Sequence, residues 1–258
     1  MKFSRVISLS ALVLAGAFAQ TDQSVVAPRP PAVITLGTGF DYSRGGYGFD
    51  TDTEVFSVPL NVGYENGPWS FNAAFSHLTI KGPATIVGGS GATRPTAASE
   101  SGLGDIYAGA TYQFGQIVGP LDLAATARVK LPTADEDRGL GTGAADYYGE
   151  LTFSRALENS TPFVTAGYRV LGDNATYQLR DGAYLSGGAH FRLSPASIIT
   201  AVLNWRQPIV AGGDDSTDAM LMVTHDFDAR WRLMAYGLAG FTDASPDVGA
   251  GLQLNCRF

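Results

Sequence analysis

A chain of 258 residues with 17 basic and 24 acidic side chains carries a net charge of −7, which argues against nucleic acid as a partner. Charged residues make up only 16% and glycines number 32, an unusual balance for a soluble protein of this length. The single Cys256 leaves no intrachain disulfide framework and no cysteine metal cluster.

The chain opens with basic Met1-Lys-Phe-Ser-Arg5, followed by an apolar stretch over 6–18 and the small-x-small step Ala17-Phe18-Ala19. These are the three regions of a secretory signal peptide over residues 1–19, with cleavage before Gln20; a buried helix is the alternative. No cysteine follows the cleavage step, so a lipoprotein anchor is not expected. Loss of Lys2 and Arg5 leaves 15 basic against 24 acidic residues, a net charge of −9. Residues 20–31 form a short, proline-punctuated lead-in, too short for an ordinary plug domain. Beyond residue 19 no apolar run reaches the roughly eighteen residues of a membrane helix. An exported chain that enters a bilayer without helices must satisfy its backbone in a closed sheet. A soluble barrel or a periplasmic β-sandwich is the competing architecture.

From Ala32 onward, apolar-alternating segments of membrane-strand length are separated by turn clusters, the repeating signal of a transmembrane barrel. Strands are expected near 32–42, 53–64, 69–80, 103–114, 121–131 and 145–156, then near 162–171, 182–193, 197–208, 217–227, 230–241 and 247–258. Connection lengths test this reading. With both termini periplasmic, the turns at 65–68, 115–120, 157–161, 194–196 and 226–229 lie inside, and all are brief. The connections at 43–52, 81–102, 132–144, 172–181 and 209–216 lie outside and include the longest; 242–246 is a short external one. The expected fold is therefore an all-β, twelve-stranded antiparallel membrane barrel over residues 32–258.

Trp69 and Trp231 fall at the inner ends of their strands and Trp205 near an outer end, each in phase with an apolar face. That is where interfacial aromatics belong, although core packing in a soluble barrel would also produce it. The last strand alternates without a slip: Val248, Ala250, Leu252, Leu254, Cys256 and Phe258 share one face. Its closing Phe258 resembles the C-terminal assembly signal of outer-membrane barrels, which implies the barrel assembly machinery, outer-membrane lipid and lipopolysaccharide as partners.

Two segments carry a family resemblance. Residues 101–112, SGLGDIYAGATY, and residues 129–135, VKLPTAD, followed by the run 139–146, LGTG-containing GLGTGAAD, resemble the outer-membrane family labelled for the meta-pathway of phenol degradation. Ala134 stands where many members have glycine. The resemblance implies a transporter but supplies no functional residues to carry over. Locally, Gly102 and Gly104 suit close backbone approach or positive φ where a long loop re-enters the sheet. Asp105 can accept hydrogen bonds from loop amides, Pro132 ends strand pairing, and Gly139, Gly141 and Gly143 allow a tight fold-back. Loop architecture and substrate contact both remain open as reasons for the motif.

Catalytic patterns are scarce: there is no G-x-S-x-G elbow, no H-E-x-x-H and no P-loop. His77, His190 and His225 lie on separate strands without metal-ligand spacing. Ser186 and His190 are the one pair worth naming for barrel-borne hydrolysis, and no enzyme, cofactor or metal site is expected. Acidic residues gather at Asp135–Asp137, at Asp214 and Asp215 with Asp218, and at Asp243 with Asp247. They read as solvated loop charge, with loose divalent-cation contact to lipopolysaccharide as the alternative.

Charges facing lipid would cost about 2–4 kcal/mol each at the midplane, so the polar phase of each strand should face the lumen. That phase places Arg128, Lys130, Glu150, Arg169, His190, Arg192 and Arg206 inward as candidate pore-lining residues. They line a permeation path for a small-molecule solute, or they form a salt-bridge network that fills a narrow barrel. Two functions follow: a passive channel for small organic solutes, aromatic or anionic in character, or a structural or interaction barrel without a through-channel.

Overall fold

The computed structural model describes residues 32–94 and 99–258. The expected signal peptide and lead-in, 1–19 and 20–31, lie outside the described residues, as does part of the connection 81–102. Fifteen strands and no helix occur among the described residues: β1 (Val33–Gly45), β2 (Thr53–Asn66), β3 (Trp69–Lys81), β4 (Ala84–Val87), β5 (Ser90–Thr93), β6 (Glu100–Leu103), β7 (Ile106–Val118), β8 (Leu121–Leu131), β9 (Asp146–Ser154), β10 (Ser160–Val170), β11 (Gly182–Ser194), β12 (Ser197–Arg206), β13 (Ser216–Asp226), β14 (Trp231–Gly240) and β15 (Val248–Arg257).

All but β4 and β5 join one antiparallel sheet, and β6 and β7 both pair with β3 as two halves of one interrupted strand. The ring therefore has twelve staves. It closes where β1 pairs with β15, from Thr35 opposite Arg257 to Arg44 opposite Val248. The seam continues to the last residue, because Ile34 and Phe258 exchange backbone hydrogen bonds of 3.2 and 2.8 Å. Closure removes both sheet edges and pairs the backbone groups a membrane would leave unsatisfied. Two glycines make the seam possible. A Cβ on Gly39 would lie 2.0 Å from the Leu252 carbonyl oxygen, and one on Gly37 would lie 2.1 Å from the Asn255 side-chain oxygen.

The period-two phase sorts side chains as the sequence predicts. Ile34, Leu36, Phe40, Phe56, Leu60, Leu203, Leu221, Leu252 and Leu254 face outward and are 37–55% exposed, a belt of apolar surface suited to hydrocarbon. Their neighbours Thr35, Ser57, Thr152, Thr165, Ser186, Thr200 and Asn255 face inward and are buried. Threonines pair across strands inside the lumen, Thr111 with Thr126 and Thr152 with Thr165, each at 2.8 Å. Trp69 stacks on Phe71 and meets Tyr112 edge-on at the end of the barrel where β1 begins and β15 ends. At the opposite mouth the Trp205 indole donates to Asp215.

Two departures from the sequence reading occur close together. The strand expected near 103–114 begins earlier and is broken at Gly104–Asp105, where Gly104 donates to Ser76 while β6 and β7 carry the pairing on either side. A Cβ at Gly104 would sit 2.8 Å from a Leu78 methyl carbon, so close approach rather than positive φ requires this glycine. Part of the connection expected as an external loop over 81–102 is itself a hairpin. β4 and β5 pair from Ala84 opposite Thr93 to Val87 opposite Ser90, through a two-residue Gly88–Gly89 turn with φ of 54° and 84°. Two consecutive positive-φ glycines give the turn geometry that matches strand twist.

Candidate functional site

The β4–β5 hairpin points into the barrel. It arises from β3, and β12 lies six staves from β3 in either direction around the ring, yet the tip reaches β12. A Cβ on Gly89 would lie 3.1–3.2 Å from the Arg206 guanidinium, and Ser216 at the start of β13 donates to the Gly89 carbonyl at 3.4 Å. Arg169 of β10 donates from Nη1 to the Gly88 carbonyl at 3.1 Å. The hairpin thus spans the lumen at the mouth opposite the start of β1 and the end of β15.

Its sides are packed as well as its tip. Val87 and Ala92 form a buried cluster with Tyr148, Leu171, Tyr177, Leu179, Tyr184 and Ile209. Thr85 bonds to the Gly139 carbonyl at 2.8 Å and to the Tyr177 hydroxyl at 3.0 Å. At the base, Arg94 donates to the carbonyls of Ile80, Gly82 and Arg138, and the Ala84 amide donates to Thr53. The first loop joins this roof through Tyr47, which is 2% exposed and hydrogen-bonds Ser43. Burial pushes the Tyr47 phenol up to about 12 and lowers the Arg94 guanidinium below its usual range. Both side chains are nearly buried in this roof.

Beneath it the motif residues converge. Lys130 Nζ lies 2.6 Å from Thr142 Oγ1, 2.9 Å from Asp146 and 3.6 Å from Asp105. Asp105 also accepts the amides of Thr133 and Ala134 at 3.0 and 2.9 Å, the loop-amide role expected for it. Asp146 accepts the Gly172 amide at 3.0 Å. Gly139 and Gly143 adopt φ of 67°, which folds this loop back over the cluster. The two sequence motifs are therefore one buried clamp that fastens the 132–145 loop to the interrupted strand. Architecture accounts for the motif contacts.

Every candidate pore-lining residue faces inward, in two groups. Arg128, Lys130, Glu150, Arg169 and Arg206 gather toward the mouth. Arg128 donates to Glu150 at 3.2 Å and lies over the Tyr148 ring at 5.4 Å, while Tyr184 donates to the same carboxylate at 2.8 Å. Arg206 pairs with Asp218. His190 and Arg192 sit further along β11: His190 bonds Thr200 at 2.8 Å and stacks on Phe163, and Arg192 is half-buried near the other end. The basic wall read from the sequence is largely neutralised, because carboxylates occupy the same inward phase. Asp218 is one of them. It belongs not to the solvated loop acids with Asp214 and Asp215 but to β13, 1% exposed, since the strand starts at Ser216 and turns it inward.

Arg169 differs from the rest. It is 1% exposed, among the largest fully buried side chains, and no carboxylate forms an ion pair with it among the described residues. Its hydrogen bonds go to two backbone carbonyls, Gly88 and Gln207; its Nε is buried without a partner, as are those of Arg94, Arg128 and Arg206.

Deeper in the lumen, Phe163, Val202 and Met220 form an inward apolar patch with Met222, Tyr236 and Leu238 against it. A cavity of about 100 Å³ lies between the hairpin, the clamp and the break in the wall, lined by Tyr107, Arg128, Lys130, Tyr148 and Gly88 among others. Ser186 and His190 bond to different residues of β12, Asn204 and Thr200, and do not meet each other. No grouping of His, Cys, Asp and Glu suited to a metal ion occurs among the described residues. The sequence reading missed the hairpin, although a Gly-Gly pair between the β-forming runs 84–87 and 90–93 was a signal for it.

A family model described as "Putative MetA-pathway of phenol degradation" matches residues 32–258. Among solved structures, an outer membrane channel from Pseudomonas putida F1 superimposes with a TM-score of 0.64 at 13% identity, covering 88% of this chain and 94% of that one. The KdgM porin in complex with disordered oligogalacturonate gives a TM-score of 0.52 at 9% identity, covering 88% and 98%. At these identities the likeness concerns the fold. No curated protein matches the chain.

Proposed function

We propose that this chain, which belongs to the MetA-pathway phenol-degradation family, is a passive channel of the bacterial outer membrane for small organic solutes. The observation that carries this reading is the size of the inward side chains. Long stretches of the lumen wall present Gly, Ser, Thr and Ala, including Thr35, Gly37, Gly39, Ser57, Ala74, Thr111, Thr126, Thr152, Thr165, Ser186 and Thr200. A twelve-stranded barrel is too wide for such small groups to fill. The roofing hairpin instead obstructs one mouth. The apolar patch around Phe163 and Met220, facing ion-paired and hydroxylated walls, suits solutes with both an apolar body and a polar end.

Outer-membrane lipid would contact the belt of Leu203, Leu221 and Leu252, and the barrel assembly machinery would read the strand that ends at Phe258. The exposed acids Asp135, Asp137, Asp214 and Asp215 face the same side as lipopolysaccharide would. Export depends on the signal peptide expected over 1–19. A closed interaction barrel is the second reading, favoured by the packed roof of the mouth. Single-channel recording separates them. Protein refolded from the mature chain, and a variant with residues 84–93 replaced by a short Gly-Ser linker, are compared in planar bilayers. A channel predicts measurable conductance in the parent that rises clearly on removing the hairpin; a closed interaction barrel predicts negligible conductance in the parent.

A further inference from the structure

Arg169 is a full positive charge held out of solvent by two carbonyl dipoles, and one of those carbonyls belongs to a hairpin tip rather than to the barrel wall. Burying an ionised group without a counter-charge is costly, and carbonyl dipoles compensate it less well than a carboxylate does. The neighbouring carboxylates all make their ion pairs with other cations, and none contacts Arg169. Arg206 is matched by Asp218, Arg128 by Glu150, and Lys130 lies between Asp105 and Asp146. The unpaired Nε of Arg169 leaves a further donor unused.

The tip also presents an apolar group beside its acceptor. Val87 precedes Gly88 and packs among Tyr148, Tyr177, Tyr184, Leu171 and Ile209. Seen from the wall, the hairpin offers an oxygen acceptor to Arg169 and an apolar body to a tyrosine-rich cleft. We propose that Arg169 and the tyrosine cleft are a binding site for a small apolar monocarboxylate, and that the β4–β5 tip occupies this site in the absence of solute. This rests on the channel reading and names the solute class and its obstructing element.

The missing ion-pair contact sets the class. A monocarboxylate would give Arg169 a charged partner in direct contact and accept hydrogen bonds from the guanidinium edge, whereas a neutral phenol or hydrocarbon would leave it with carbonyl dipoles alone. An apolar body of aromatic size would replace Val87 and Ala92 against Tyr148 and Tyr184. The attachment of the hairpin fits competition at the tip. Its base is fixed by the three Arg94 hydrogen bonds and the Thr53 contact, while the tip carbonyls each accept one side-chain hydrogen bond from the wall.

Calorimetric titration of folded protein in detergent tests the site without requiring conduction. Benzoate is the probe and benzyl alcohol its uncharged counterpart. Four proteins are compared: the parent, the variant with residues 84–93 replaced by Gly-Ser, and that variant carrying Arg169→Gln or Arg169→Lys. Folding of each is checked by its faster gel migration before heating. The expected results are at least tenfold tighter benzoate binding once the hairpin is removed, at least tenfold preference over benzyl alcohol, loss of that preference in Arg169→Gln, and partial retention in Arg169→Lys. Equal binding of the two probes, or equal benzoate affinity with and without the hairpin, would overturn the proposal even if neither Arg169 variant folds. Unchanged benzoate affinity in Arg169→Gln would do so as well. Benzoate binding without conductance would refute the channel alone; conductance without selective benzoate binding would refute the site alone.

Discussion

Lys130 is held by oxygens of Thr142, Asp146 and Asp105, all of them nearly or fully buried. Replacing it with methionine keeps most of the volume but leaves two carboxylates facing each other without a cation. Removing one partner of a buried ionic group costs about 3–5 kcal/mol, so Lys130→Met should markedly lower the temperature at which the barrel loses its compact gel migration. Arg44→Met is the control: its Asp52 partner is 2.7 Å away, but the side chains are 53% and 39% exposed, and such pairs are worth about 0–1 kcal/mol. The sequence placed Lys130, Asp105 and Asp146 in the motif and Lys130 on the inward phase. It could not say that they meet, because strand phase fixes a side chain's face but not its partner across a loop. The same gap hid Asp218: the expected strand near 217–227 contained it, but its partner Arg206 lies on the neighbouring strand.

At the scale of elements, period-two alternation gave the barrel staves to within a few residues, and β8 was expected and found over 121–131. It could not reveal a hairpin surrounded by protein on every side, since β4 and β5 have no lipid face and so no alternation to read: Ala84, Thr85, Val87, Ser90, Gly91 and Ala92 are all buried. The turn that shapes this hairpin is also its weak point. Gly88 has φ of 54°, and a Cβ there would lie 2.8 Å from Arg169 Nη1. Valine at this position meets both a backbone region that β-branched residues avoid, at about 1–2 kcal/mol, and the guanidinium itself. Gly88→Val should therefore unseat the tip while leaving the twelve-stave ring intact. In planar bilayers it should conduct more than the parent, approaching the variant without the hairpin; parental conductance with normal heat-modifiable migration would mean that the tip does not obstruct the path.

For the whole molecule, the decisive property is that adjacent residues on one strand face opposite solvents. On β13, Leu221 is 55% exposed on the outer face, and Met222 points inward beside the Phe163 patch. Arginine at Leu221 would sit in hydrocarbon at a cost of about 2–4 kcal/mol near the midplane, whereas lysine at Met222 can extend into the lumen and keep its head in water. Leu221→Arg should thus depress insertion into membranes, and Met222→Lys should insert nearly as well as the parent. Phe258 extends the argument to assembly. It is 69% exposed, continues the outward phase of β15 and closes the seam through its backbone exchange with Ile34. Phe258→Ser preserves that backbone pairing and removes only the outward aromatic. If the aromatic is read by the assembly machinery, this variant should refold in detergent like the parent yet reach the membrane poorly in cells, as scored by trypsin protection. Equal defects in detergent and in cells would instead assign Phe258 to seam stability. Equal success in both would leave it no role beyond its place on the lipid face.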